Sequence, residues 1–261
     1  MKFAVSGKGG TGKTTISGLL AHYFNNDGYQ VLAVDADPDA NLASALGIPP
    51  EQASSIIPIS RQRQLILERT GAKPRQFGQL FKLNPTVNDI ADKYGLDFQG
   101  IKLLVMGGIQ KGGNGCACPE NVLLRNLLAE IILNRDEVVI VDMEAGIEHL
   151  GRATARSIDR MLITVEPGSR SILTAKAIVK LAKDIGIESF GIIGNKIQDK
   201  SQESWIRSQF APEQILGLVS YHETIREADL KQRPLMEVLD EKLAKEFNEI
   251  YQSCRADQSN S

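Results

Sequence analysis

Residues 5–15 read VSGKGGTGKTT, a glycine-rich turn between an apolar strand and a helix, and few folds can hold such a turn. Gly7, Gly9 and Gly12 fit the G-x-G-x-x-G spacing of a dinucleotide loop. Gly7 through Thr14 also fit G-x-x-x-x-G-K-T, the phosphate loop (P-loop) of nucleotide hydrolases. A dinucleotide loop needs an acidic residue about 20 positions further on, and Asp35 stands near that place. Lys13 and Thr14 separate the two readings. A triphosphate with magnesium needs more positive charge than one helix dipole supplies. An ammonium for the β- and γ-phosphates and a hydroxyl for the metal, both at the helix start, provide it. Asp142, closing the run VVIVD, gives the expected outer-shell carboxylate for magnesium. The P-loop reading is therefore favoured. It does not explain Lys8, because two ammonium groups in one tight loop repel unless an anion lies between them or one reaches elsewhere.

The rest of the chain supports the same fold class. Short apolar runs at 2–6, 31–35, 102–106, 137–142, 161–165, 189–195 and 214–220 are continuous rather than alternating, as in a parallel sheet covered on both faces. Helical patterns at 14–27, 119–134, 170–185 and 201–209 lie between them. This order predicts a doubly wound α/β architecture, a mostly parallel sheet with helices on both faces, binding ligands beyond the carboxyl ends of its strands. One domain is expected over 1–254, with a disordered tail at 255–261 and Cys254 at the start of that polar end. Residues 41–101 are too long for a simple crossover and hold either an insertion packed on the sheet or a partner-facing surface. Within them, Arg61, Arg63, Arg69, Lys73, Arg75 and Lys82 face a single acid, Glu68, over 60–82; a solvated helical face is the favoured reading.

Composition bounds the function. The formal charge of −2 argues against a dedicated nucleic-acid binder. No apolar run reaches the roughly 18 residues of a membrane span, and the amino end enters the glycine loop without a cleavable leader. Three cysteines do not make a disulfide framework, so a cytoplasmic protein is expected.

With Lys8 included, the loop Lys8-Gly9-Gly10-Thr11-Gly12-Lys13-Thr14 resembles the KGGxGKT of the deviant P-loop ATPases, the group of MinD, ParA and the nitrogenase iron protein. The resemblance implies a homodimer in which Lys8 crosses a twofold axis to nucleotide in the facing subunit. It places Lys13 on the β/γ-phosphates, Thr14 on magnesium and Thr15 near the α-phosphate, with Gly9, Gly10, Thr11 and Gly12 as the cradle. DADPDAN (35–41) is similar to the group's first switch, where Asp37 orients the attacking water beside magnesium. DMEAGIEHLGR (142–152) is similar to the second, with Asp142 on the metal, Gly146 allowing movement, and Glu148 and His149 left outside the catalytic set. Asn195-Lys196 ends another strand. Guanine readers carry N-K-x-D, but Gln198 stands at the fourth position and Asp199 one residue late, so adenine is favoured, with Asn195 on its edge as in the resembling ATPases and Lys196 beside it as a second nucleotide-binding candidate.

Cys116 and Cys118 follow a glycine-rich loop and precede Pro119, a good first helical residue. Cys118 then falls at a helix N-cap, where unpaired N–H groups favour thiolate. Two thiolates are half of a tetrahedral soft-metal site. The other half comes from elsewhere in the chain or from the same pair in a second chain, and no second C-x-C or His-rich element is present. GCACPENVLLR and DMEAGIEHLGR together resemble the CooC group of nickel-insertion ATPases, which mature carbon monoxide dehydrogenase or acetyl-CoA synthase. That resemblance implies ATP and magnesium as cofactors and one Ni²⁺ (or Zn²⁺) per dimer held by Cys116 and Cys118 of both subunits. It also implies a client apoenzyme as partner. Two other readings compete. An iron–sulfur electron carrier like the nitrogenase iron protein is disfavoured because its cysteines lie on two separate loops. A MinD- or ParA-type positioning ATPase is disfavoured because the last helical segment, with Leu239, Leu243, Phe247 and Ile250, has a core-facing stripe and an acid-rich other face.

Overall fold

A computed structural model describes residues 1–74, 76, 78–107, 118–145, 150–231 and 233–256. The strands are β1 (Lys2–Gly7), β2 (Val31–Asp35), β3 (Leu96–Phe98), β4 (Ile101–Val105), β5 (Val138–Asp142), β6 (Arg160–Val165), β7 (Phe190–Ile197) and β8 (Ile215–Ser220). They form one sheet in the order β3-β4-β2-β5-β1-β6-β7-β8. Every pair is parallel except β3–β4, a short antiparallel edge. All seven expected strands are present within two residues of their expected bounds. β3 was not anticipated: three half-exposed residues carry too little pattern to read.

The helices before the sheet's midpoint are α1 (Lys13–Asn26), α2 (Leu42–Ala45), α3 (Pro50–Ser55), α4 (Arg63–Thr70), α5 (Ile90–Tyr94) and α6 (Pro119–Asn134). Those after it are α7 (Arg152–Arg156), α8 (Ser169–Ile185), α9 (Lys200–Arg207), α10 (Glu223–Leu230) and α11 (Glu241–Ala256). Successive strand residues point to opposite faces, and the core divides accordingly. Leu32, Val34, Val139, Val141, Met161 and Ile163 pack on one face with Leu124 and Leu128 of α6 and Ile172 and Ile178 of α8. Val31, Ala33, Val138, Ile140 and Leu162 pack on the other with Ile16, Leu20 and Phe24 of α1 and Phe247 and Ile250 of α11.

The long connection after β2 packs on the sheet. Ile59, Leu65, Ile66 and Ile90 join the α6 face, while Leu42, Leu46 and Ile48 join the α1 face. Arg61, Arg63, Lys73 and Lys82 are exposed, whereas Arg69 donates to Asp89 Oδ2 at 2.7 Å; Arg75 lies outside the described residues. Asp199, one residue late for guanine recognition, is instead the N-cap of α9, accepting from the N–H groups of Ser201 and Gln202 at 2.8 and 2.9 Å. The carboxyl end needs correction. Helix α11 runs on through Arg255 and Ala256, and Cys254 is a buried core residue rather than part of a polar tail; residues 257–261 are not described. Burial pushes its thiol up to about 12. No helix among the described residues is long and apolar enough to cross a membrane.

Candidate functional site

The parallel pairing of β2, β5, β1 and β6 lines up the carboxyl ends of four strands, and the polar residues of the site project from them. β1 turns into the loop at Gly7, whose Cα lies so close to Thr164 that a Cβ there would fall 2.5 Å from that residue's carbonyl and hydroxyl. Gly10 and Gly12 take φ of 82° and 91°, left-handed values that admit glycine at little cost. Thr11 is fully buried. Its hydroxyl donates to the Lys8 carbonyl at 2.8 Å and meets the Thr164 hydroxyl at 2.6 Å, so its side chain braces the loop from below. Helix α1 then begins at Lys13 with its first N–H groups open to the loop.

A cavity of about 470 Å³ opens above this helix start, lined by Gly10, Gly12, Lys13, Thr14 and Thr15, and by Asn195 and Lys196 from the end of β7. It continues past Asn41 and Ser44 to Ser220, Tyr221 and His222 after β8, and to Ile225, Arg226, Arg233 and Leu235. The size suits a nucleotide. That second wall was not read from the sequence. The only cue was a strand end at Ser220, and nothing in YHETIREA marks it as facing a loop some 200 residues earlier.

Asp142 is buried on β5 directly beside Asp35 on β2, with which it shares register. Burial raises the Asp142 pKa to about 6, against the opposing influence of the Thr14 hydroxyl and Lys13. Asp35 is raised to about 7, again by burial first, although it accepts from the Leu42 N–H at 2.9 Å and the Asp37 N–H at 3.2 Å. Asp35 therefore fastens the turn that carries Asp37. Asp142 Oδ1 accepts from the Ser17 hydroxyl at 3.3 Å, whereas its Oδ2 is buried with no hydrogen-bond partner among the described residues. An orphaned buried carboxylate oxygen is costly, and a hydrated dication is the chemistry that offsets it. Thr14, Asp142 and the nearby Asp37 thus fit a magnesium ion.

The end of β7 is tied to the loop. Asn195 donates from Nδ2 to the Thr11 carbonyl at 2.9 Å, and its Oδ1 accepts from the Lys196 N–H at 2.9 Å. One N–H and one oxygen lone pair remain on that amide for a ligand. Lys196 has a left-handed φ of 60°, and its ammonium donates to the Gly10 carbonyl at 2.5 Å. Lys8, the extra loop lysine, lies 3.5 Å from Glu166 Oε1, and Lys196 lies 4.0 Å from Glu166 Oε2. Glu166 was not anticipated; an isolated acid after a strand has no spacing that announces it.

Cys118 is the N-cap of α6, with extended backbone, Pro119 at the first helical position and its carbonyl accepting from Val122 N–H at 3.1 Å. Cys116, and with it Gly146, Glu148 and His149, lies outside the described residues. Among the described residues no group of three or more His, Cys, Asp or Glu side chains could hold a metal. The cysteine-bearing segment leaves from the end of β4, where Met106 N–H donates to the Asp35 carbonyl at 2.9 Å.

The fold and this site define a P-loop nucleotide-binding protein. The family model described as the CobQ/CobB/MinD/ParA nucleotide binding domain matches residues 2–235. The carbon monoxide dehydrogenase accessory protein CooC of Rhodospirillum rubrum is 47% identical over 229 residues, covering 88% of this chain and 87% of its own. An uncharacterized ATP-binding protein of Methanocaldococcus jannaschii is 47% identical over 254 residues, 96% of each chain. Among solved structures, the septum site-determining protein MinD of Pyrococcus horikoshii, complexed with Mg-ADP, superposes with a TM-score of 0.66 at 19% identity, covering 97% of this chain and 95% of that one. The chain belongs to the CobQ/CobB/MinD/ParA nucleotide-binding family and, within it, to the CooC group.

Proposed function

We propose that this protein is a magnesium-dependent ATPase that works as a homodimer and delivers a soft divalent metal ion, nickel in preference to zinc, to an apoenzyme of the carbon monoxide dehydrogenase or acetyl-CoA synthase kind. The observation that carries the reading is the 47% identity, over 88% of the chain, to a carbon monoxide dehydrogenase accessory protein, in a chain whose sequence also holds the Cys116-x-Cys118 pair before Pro119. Lys13 neutralises the β- and γ-phosphates, and the open N–H groups of α1 take the rest of that charge. Thr14, Asp37 and Asp142 hold magnesium, which supplies charge stabilisation to the transferring phosphoryl group. Asp37 orients the attacking water. Lys8 reaches nucleotide in the facing chain, so ATP binding and dimer closure are one event. The metal is cargo: the paired thiolates of two chains complete four soft ligands, and a site built across an interface changes geometry when that interface moves.

Anaerobically purified protein, incubated with Ni²⁺ and an ATP analogue, should carry about one nickel per two chains. It should show no iron–sulfide absorbance after reconstitution with iron and sulfide. Cys116→Ala and Cys118→Ala should each lose stoichiometric nickel and still bind ATP. Full nickel content in the doubly substituted chain, or none in the wild type, overturns the metal assignment.

A further inference from the structure

Glu166 follows directly on β6, between β1, which ends in the loop, and β7, which ends at Lys196. Parallel register brings the three strand ends together: Gly7 is paired with Thr164, and Val165 with Gly194. The Glu166 carboxylate therefore lies among two ammonium groups, Lys8 at 3.5 Å on one oxygen and Lys196 at 4.0 Å on the other. Its backbone is fixed as well, since Glu166 N–H donates to the Ser171 hydroxyl at 3.1 Å and Ser171 is buried in the first turn of α8. Lys196 is itself anchored to the Gly10 carbonyl, so this lysine belongs to the chain's own loop. Among the described residues the Lys8 ammonium has no such second anchor: its side chain is partly exposed, and its one ion pair there is with Glu166.

We infer that Glu166 is a positioning residue for Lys8. In the single chain it holds the Lys8 ammonium over its own loop, and dimer closure exchanges this carboxylate for phosphate on the facing chain. The inference rests on the homodimer reading above. It has a direct physical consequence: each chain must break a Lys8–Glu166 pair before Lys8 can cross, so the pair opposes closure until nucleotide is present on both sides. A pair this exposed is worth a few-fold in equilibrium constant, and two of them act in one dimer.

The test is sedimentation of wild-type, Glu166→Gln and Glu166→Asp protein at saturating non-hydrolysable ATP analogue, titrating protein so that nucleotide affinity does not enter. Glu166→Gln should dimerise more tightly by about threefold per chain, hence on the order of tenfold in the dimer dissociation constant. Glu166→Asp, which keeps the charge on a shorter arm, should fall between Gln and wild type. In nucleotide-free protein, amine labelling read by mass spectrometry should be faster at Lys8 in Glu166→Gln than in wild type and unchanged at Lys13, which a general loosening of the loop would not produce. If wild type dimerises but Glu166→Gln matches it in both measurements, the inference is wrong and the homodimer stands. If wild type stays monomeric at saturating analogue, both the homodimer reading and the exchange fall.

Discussion

Asp35 and Asp142 sit side by side at the carboxyl ends of β2 and β5, both buried, and burial is the largest cause of their raised pKa values of about 7 and about 6. Both lie above unfolded values, so the folded chain holds more protons than the unfolded one between about pH 4 and 7, and stability falls as pH rises through that window. Asp89 and Asp92 act in the opposite sense. Hydrogen bonds from Arg69 and Lys93, and from Arg135 and Lys102, hold them below the usual carboxylate range. Their contribution is present above about pH 4 and lost as pH falls further. The thermal midpoint of ligand-free protein should therefore peak near pH 4 and decline toward pH 7. Magnesium with an ATP analogue should flatten that decline by giving the ionised carboxylates a cation. Thermal unfolding across this range checks both statements, and a ligand-free midpoint that climbs from about pH 4 to 7 contradicts them. At this scale the sequence is eloquent where function needs a fixed local spacing, as in Lys8 through Thr15. It is silent where function needs an encounter between distant strand ends. Glu166 is such a case, and so is the second tie of Asn195: its amide reaches Thr11 across 184 positions, a contact no local pattern encodes.

The elements that were legible are those with continuous hydrophobicity or a clear boundary residue. Pro119 opens α6 where a helix start was expected, and Gly186, at φ 98°, closes α8 where the pattern ended. β3 and the cavity wall after β8 were not legible, because one is too short and the other is defined by what it faces. Helix α11 lies beyond residue 235, where the family model stops, but it is part of the core. Phe247 is 2% exposed, and the Tyr251 ring meets Phe24 of α1 edge-on at 4.9 Å. Phe247→Ala should cost about 3–5 kcal/mol in denaturant unfolding. A loss under about 1 kcal/mol would mean that α11 is a peripheral appendage.

For the molecule as a whole, an eight-stranded sheet gathers the loop, both buried aspartates and the Asn195–Lys196 corner along a single edge. Fold class was the part most fully legible in the sequence, because strand–helix alternation and a glycine loop after the first strand leave few other architectures. The proposed assembly rests on Lys8 and on the half-complete Cys116–Cys118 pair, since interfaces carry no periodicity of their own. Lys8→Ala should bind an ATP analogue yet dimerise at least about tenfold more weakly than wild type in sedimentation, as loss of a desolvated charge contact predicts. Normal dimerisation of that variant would remove Lys8 from the interface. The hydrogen bond from Met106 to the Asp35 carbonyl adds a mechanical consequence. One residue moors both the turn that carries Asp37 and the root of the segment leading to the cysteines. In the proposed metal-delivering ATPase, fuel and freight would therefore hang from a common post.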